Sequence, residues 1–422
     1  MGERTIQDLY QLQGLPIDLK VRMTKDRIRQ WINAYGEDGV YVSFSGGKDS
    51  TVLLHLVREE YPNTKAVYVD TGLEYPEIRK FVKGFDNVEW LKPKIGFKQV
   101  IQKYGYPFFG KEISSTIDGA RKYLTQINKQ TSLDRQTDRQ TDRQTDRQTD
   151  RQTDRQTVQY AWAVADILGV DRRENKENAN YQSLIKGNIP SDSKYKYGAS
   201  VRYLILTGKL PHTEKGVIQE NEYSTMYDKR RYQFMLEAPF EVSDRCCAVM
   251  KKAPTHKYQK DTGRNPMTAQ MASESSLRMK NWLVNGCNGF NMKRPISNPM
   301  AFWTEQDVLL YIYANKIPIC SVYGDVVKDT EVDGQLDLED IYGKELFDLG
   351  RPLLKTTGCD RTGCMFCAYG CQCETGEGRF ERLKKTHPKQ YDYIMRPWEQ
   401  GGLNYKEVID WINEHGNMNI KY

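Results

Sequence analysis

Val40-Tyr41-Val42-Ser43-Phe44-Ser45-Gly46-Gly47-Lys48-Asp49-Ser50 is the stretch that decides how this chain is read. Residues 40–44 form a short apolar run that stops at two glycines, and a helical pattern follows through Val52, Leu53, Leu56 and Val57. A strand that turns on glycine straight into a helix is suited to phosphate. The glycines let the backbone turn tightly, so that its N–H groups point at phosphate oxygens. Ser45 and Ser50 add hydroxyls, Lys48 adds a fixed charge, and the helix N-terminus adds its dipole. Ser43, Ser45, Gly46, Gly47, Lys48, Asp49 and Ser50 are therefore candidate nucleotide-binding residues, with Lys48 and Asp49 also candidates for catalysis. The spacing is not the G-x-x-x-x-G-K-[ST] of a Walker loop. The bland alternative is a glycine-rich turn that binds nothing.

Outward from this loop the chain alternates. A strand is expected at 65–69, a helix at 76–85, a strand at 88–91 and a helix at 97–104. Ahead of the loop, residues 7–35 read as helix with a break at 14–16. Strands alternating with helices imply right-handed crossovers, a parallel sheet and an α/β fold, with ligands at the carboxyl ends of the strands. Asp70-Thr71-Gly72 ends the second strand there, so Asp70, Thr71 and Gly72 join the candidates. Asp70 suits a ribose or a Mg2+ ion, although Asp-Thr-Gly by itself is also an ordinary turn. The expected layout is a helical segment (1–36), the nucleotide-binding core (37–128), a repeat insertion (129–160), a variable polar segment (161–239) and a cysteine-rich, helical C-terminal region (240–422). In that last region a helix starts near Trp303, and further helices are expected at 380–395 and 405–415.

With 422 residues, 38% apolar and 28% charged, the chain has enough sequence for two or three domains. The net charge of +6 is mildly basic; it permits a polyanionic partner without demanding one. No charged-then-apolar leader and no apolar run of membrane length is seen, which predicts a cytoplasmic protein with no membrane partner. Residues 134–157 are six perfect copies of Asp-Arg-Gln-Thr, which bury no apolar face and are expected to form an exposed insertion. A tetranucleotide ACAG repeat encodes this cycle in every reading frame, so a slippage-prone, phase-variable gene competes with a simple linker duplication. Residues 158–233 are polar, with weak periodicity and no assignable role.

The nine cysteines bunch as Cys246 with Cys247, and as Cys359, Cys364, Cys367, Cys371 and Cys373; Cys287 and Cys320 stand alone. Tight clusters favour metal ligation over disulfides. Four thiolates suit an iron–sulfur cubane or Zn2+, and adjacent cysteines are awkward for one tetrahedral ion. Arg278 is suited to an anionic sulfate or phosphate, or equally to a surface salt bridge, and Lys111 is a weaker candidate of the same kind.

The Ser-Gly-Gly-Lys-Asp-Ser string resembles the PP-loop of ATP pyrophosphatases and of the phosphoadenosine phosphosulfate (PAPS) reductase family. Cys246-Cys247-x3-Lys251-x2-Pro254, with Cys364-x2-Cys367, is similar to the four-cysteine [4Fe–4S] site of adenylylsulfate reductases. The resemblance implies Cys246, Cys247, Cys364 and Cys367 as cluster ligands; Cys359, Cys364, Cys367 and Cys373 are a rival set similar to DNA-phosphorothioation proteins. Residues 271–278 resemble the family's substrate loop through Ser275 and Arg278, but Ala272 stands where the reductases place a further arginine. The reductases' C-terminal nucleophilic cysteine is missing, since no cysteine follows Cys373. With the pyrophosphate loop intact, the expectation is ATP binding with Mg2+, adenylation of an acceptor, and sulfur delivery aided by the cluster or by Cys371 or Cys373. Reduction of PAPS or adenylyl sulfate is the alternative, and a noncatalytic nucleotide sensor the third. The implied partners are an adenine nucleotide, a nucleic-acid acceptor or partner protein, and further copies of the chain.

Overall fold

The computed structural model describes residues 4–138, 199–214, 217–223, 228–329 and 353–422. The chain divides into two compact units, one of Met1–Phe97 with Cys247–Met365 and the other of Lys98–Cys246 with Phe366–Tyr422.

The first unit is the α/β part. It runs α1 (Ile6–Gln13), α2 (Ile17–Tyr35), β1 (Val40–Ser43), α3 (Lys48–Arg58), β2 (Ala66–Val69), α4 (Pro76–Val82) and β3 (Val88–Leu91). After the excursion into the other unit it resumes with a π-helical turn (Ala248–Lys252), α5 (Ala253–Thr262), β4 (Asn265–Met267), α6 (Ser276–Asn285), β5 (Asn288–Gly289), β6 (Ile296–Ser297) and α7 (Glu305–Asn315). The six strands pair in the order β3-β2-β1-β4-β6-β5. All pairings are parallel except that of β5 with β6. The expected break at 14–16 falls between α1 and α2, where Gly14 caps one helix and Pro16 precedes the next.

Burial explains the parallel sheet. Val40, Tyr41 and Val42 are all buried, as in a strand covered on both faces. Ile28 and Trp31 of α2 and Val52, Leu53 and Leu56 of α3 belong to the same core as Val40 and Val42. Strand β4 escaped the sequence reading because it contains Pro266, which argues against a strand inside a sheet. The register resolves this. Asn265 N bonds Gly39 O, so by alternation Pro266 nitrogen faces away from β1, and the ladder to β6 begins only at Met267.

Helices α2 and α7 are tied by a buried ion pair, Lys20 Nζ to Asp307 Oδ2 at 2.6 Å. The same Asp307 oxygen closes the N-terminus of α7 by accepting from Thr304 N at 2.7 Å.

In the second unit a helix spans Lys111–Asp138 and packs against Ala199–Thr207 and the 3-10 turn Arg230–Leu236. Phe108–Phe109 pairs in parallel with Ala368–Tyr369. The long helix runs through the first copy of the four-residue repeat, whose Arg and Gln are good helix formers; the remaining copies lie outside the described residues. The single helix expected at 380–395 is instead two, Arg379–Thr386 and Pro388–Met395. Proline lacks the N–H to continue a helix and pushes the preceding residue out of helical geometry; His387 accordingly has φ −136 and ψ 62. The last helix is Tyr405–Gly416, close to expectation.

Candidate nucleotide site and cysteine environment

The candidate loop lies between the carboxyl end of β1 and the start of α3. Gly46 has φ +72, and a Cβ there would stand 2.7 Å from Val82 Cγ2 and 2.9 Å from Ile78 Cγ2. Only glycine fits both demands. The two serines brace the turn: Ser50 Oγ accepts from Ser45 N at 3.2 Å and lies 3.0 Å from Ser45 Oγ.

Lys48 is not exposed to solvent. Its side chain is 3% accessible and its Nζ lies 2.9 Å from Glu305 Oε1 and 3.6 Å from Asp49 Oδ1. Nζ also donates to the Asp360 carbonyl at 2.9 Å. Burial works against the lysine's charge, but Asp49 and Glu305 outweigh it and hold its pKa above the ordinary value. Burial pushes the Asp49 carboxyl upward, against the pull of Lys48 and Arg361. Asp49 Oδ1 is buried and accepts no hydrogen bond among the described residues.

Arg361 went unnoticed in the sequence. It lies between two residues fastened to the loop: Asp360 through its carbonyl, and Thr362 through its hydroxyl, 2.5 Å from Tyr323 Oη. That tyrosine oxygen accepts the Lys48 N–H at 3.2 Å. Arg361 Nη2 approaches Glu274 Oε1 at 3.5 Å, and Glu274 also pairs with Arg278. Burial, then repulsion from Arg361, lowers the Arg278 pKa. Two guanidinium groups therefore share one carboxylate beside Asp49, and both side chains keep solvent access. The signal was present as a short polar stretch with glycine, Asp360-Arg361-Thr362-Gly363, but such stretches mark loops in general. Ser275 caps α6 by accepting from Arg278 N at 3.3 Å.

At the end of β2, Asp70 accepts from Arg79 Nη2 at 2.8 Å and from Gly72 N at 3.3 Å. Thr71 donates its N–H and hydroxyl to the buried Glu74. A cavity of about 470 Å3 adjoins these loops, lined by Ser43, Ser45, Tyr68, Glu74, Lys251 and Thr362 among others. Burial opposes the charge of Lys251, but Cys364 and Glu74 raise its pKa above the usual range.

None of the nine cysteines forms a disulfide. Cys247 and Cys364, both of the first unit, lie in electrostatic reach of Lys251. Cys246, Cys367 and Cys371, of the second unit, lie in electrostatic reach of the buried Tyr405, which donates to the Phe366 carbonyl at 2.7 Å. The donor chemistry suits an iron–sulfur group, but among the described residues no group of three or more His, Cys, Asp or Glu is arranged to hold a metal ion. Cys371 is buried and its thiol is pushed up to about 12 by burial, whereas Cys373 is exposed. Lys111 is exposed at the first residue of the long helix of the second unit. No helix among the described residues is long and apolar enough to cross a membrane.

The phosphoadenosine phosphosulfate reductase domain family matches residues 39–165 and 205–369, more than half of the chain. A phosphoadenosine 5'-phosphosulfate reductase of Photobacterium profundum is 26% identical over 130 residues, 31% of this chain and 51% of that protein. One of Proteus mirabilis is 28% identical over 94 residues, 22% of this chain and 38% of that protein. An uncharacterized protein of Methanocaldococcus jannaschii is 37% identical over 73 residues, 16% of this chain and 18% of that protein. The chain thus spans about half or less of the length of these relatives.

Proposed function

Because the chain belongs to the phosphoadenosine phosphosulfate reductase domain family, we propose that it binds ATP at residues 45–50 and uses it for sulfur chemistry. The acceptor's oxygen attacks the α-phosphorus, the bond to the bridging oxygen breaks, and pyrophosphate leaves. The observation that carries this reading is the complete Ser45–Gly46–Gly47–Lys48–Asp49–Ser50 turn at the carboxyl end of β1, with exposed arginines beside it. A loop with two glycines and both serines is suited to a chain of phosphates.

Asp49 is the better carboxylate for Mg2+. Among the described residues its Oδ1 accepts no hydrogen bond and has only the Lys48 ammonium 3.6 Å away, while the Asp70 oxygens already accept from Arg79 and Gly72. On sequence pattern alone, Cys246, Cys247, Cys364 and Cys367 are proposed as the thiolates for a [4Fe–4S] cluster, which would supply electrons or sulfide when bound. Lys251 lies in electrostatic reach of Cys364 and Cys247 and would face a group held there. Cys373, being exposed, is a better candidate than the buried Cys371 to carry sulfur. The acceptor is a nucleic acid or partner protein.

The second reading is reduction of a sulfonucleotide, favoured by the names of the two reductase relatives. Anaerobically reconstituted protein separates the two readings. Pyrophosphate release from ATP without sulfite release from PAPS supports the first; sulfite supports the second; neither sinks both.

A further inference from the structure

Tyr68 is 1% exposed, and its hydroxyl has no hydrogen-bond partner among the described residues. A buried phenol normally finds a partner, because an unmatched O–H gives up its hydrogen bonds to water with nothing in return. The ring itself is well placed. It packs edge-on against Trp90 of β3, centroids 4.6 Å apart, and belongs to the main core of the first unit. The residue is therefore held firmly while its one polar atom is left unmatched.

Tyr68 lines the same cavity of about 470 Å3 as Ser45 of the phosphate loop and Lys251. It sits on β2, whose last residue, Val69, runs directly into Asp70 at the carboxyl edge of the sheet. We infer that the Tyr68 hydroxyl is a ligand-facing donor, bonding a phosphoryl or sulfuryl oxygen of the nucleotide held between the phosphate loop and Lys251. A phenol keeps its proton at neutral pH and a phosphoryl or sulfuryl oxygen offers only lone pairs, so the two are complementary. This deepens the proposed function and rests on it. A phenylalanine would fill the core equally well, so packing alone gives no reason for the hydroxyl.

Tyr68→Phe tests the inference by two readouts of opposite sign. In the unliganded protein the melting temperature stays level or rises, since an unmatched polar atom is removed. Binding of ATP and of adenylyl sulfate, measured by calorimetry on the full chain, weakens on the order of 10- to 100-fold. Adenosine, which has no such oxygen, binds both proteins alike. Equal affinity of wild type and Y68F for ATP and adenylyl sulfate overturns the inference alone. So does a fall in the unliganded melting temperature, which reveals a protein partner for the hydroxyl. A wild-type protein that binds no adenylate overturns the proposed function, and this inference with it.

Discussion

Lys48 Nζ, the cation of the turn between β1 and α3, donates 2.9 Å to the backbone carbonyl of Asp360, more than three hundred residues away in sequence. With Glu305 at 2.9 Å on the same nitrogen, the lysine is committed to the chain itself. It fastens the Asp360–Thr362 turn beside the loop and leaves the more exposed positive charge to arginine. Removing the carboxylate should therefore release Lys48 toward phosphate. Glu305→Gln is expected to tighten ATP binding by about 1 kcal/mol, the modest end because Glu305 is partly exposed, while lowering the melting temperature of the unliganded protein. Calorimetric titration and a thermal melt of the same preparation read both effects. Weaker ATP binding would show that the pair is part of the receptor rather than a competitor to it.

Arg361 should matter for the anionic tail of the nucleotide. It is held between two residues tied to the loop, and it shares Glu274 with Arg278. Residues 271–278 resemble the family's substrate loop with Ala272 in place of an arginine, and Arg361 is proposed to supply the missing charge from another part of the chain. Arg361→Ala is expected to weaken ATP binding roughly tenfold, with partial recovery in Arg361→Lys, because lysine keeps the charge but not the forked geometry. Retained ATP affinity in both variants would confine Arg361 to a surface salt bridge.

The buried carboxyl of Asp49 should cost the unliganded protein stability. Burial raises its pKa above that of an unfolded aspartate, while Lys48 and Arg361 pull it down and Glu305 pushes it up. A carboxyl whose folded pKa is raised binds its proton more tightly when folded. Stability is therefore lost as pH rises through the folded value, and the loss persists above it. Asp49→Asn removes the ionisation, so its unliganded protein is expected to melt higher than wild type at pH 7, with the gap closing in acid. Pyrophosphate release from ATP should fall sharply in the same variant. A melting gap that is constant with pH would refute the electrostatic part.

The alternating pattern made much of the sheet legible in advance. Residues 40–44 and 65–69 carry apolar runs because β1 and β2 lie inside the sheet and are covered on both faces, whereas the edge strand β3 at 88–91 leaves Glu89 exposed. Strand β4 was hidden, since Asn265-Pro266-Met267 has neither alternation nor β propensity and is a strand only because β1 lies beside it. The turn between β1 and α3 was readable because its residues are consecutive in sequence. Glu305, Tyr323 and Arg361 were not, because their roles come from approaching Lys48, Glu274 and Asp49 across long stretches of sequence, and each residue alone looks like an ordinary surface group. Tyr68 was hidden differently: an aromatic in a strand is what packing predicts, and only the unmatched hydroxyl sets it apart.

The Lys20–Asp307 pair should be the most sensitive point of the first unit. Both side chains are fully buried, and Asp307 additionally accepts from Thr304 N and Oγ1 to close the start of α7. Lys20 Nζ also donates to the Gln13 carbonyl at 2.6 Å, tying the end of α1 into the same cluster. Asp307→Asn leaves a buried ammonium without its counter-charge, a loss of about 3–5 kcal/mol. Replacing both partners with apolar residues of similar volume, Lys20→Met with Asp307→Leu, removes the stranded charge and should cost less than Asp307→Asn alone, apart from the lost cap. Chemical denaturation of the two variants decides. A double variant less stable than Asp307→Asn would mean that the hydrogen bonds around the pair, rather than the buried charge, hold α1, α2 and α7 together.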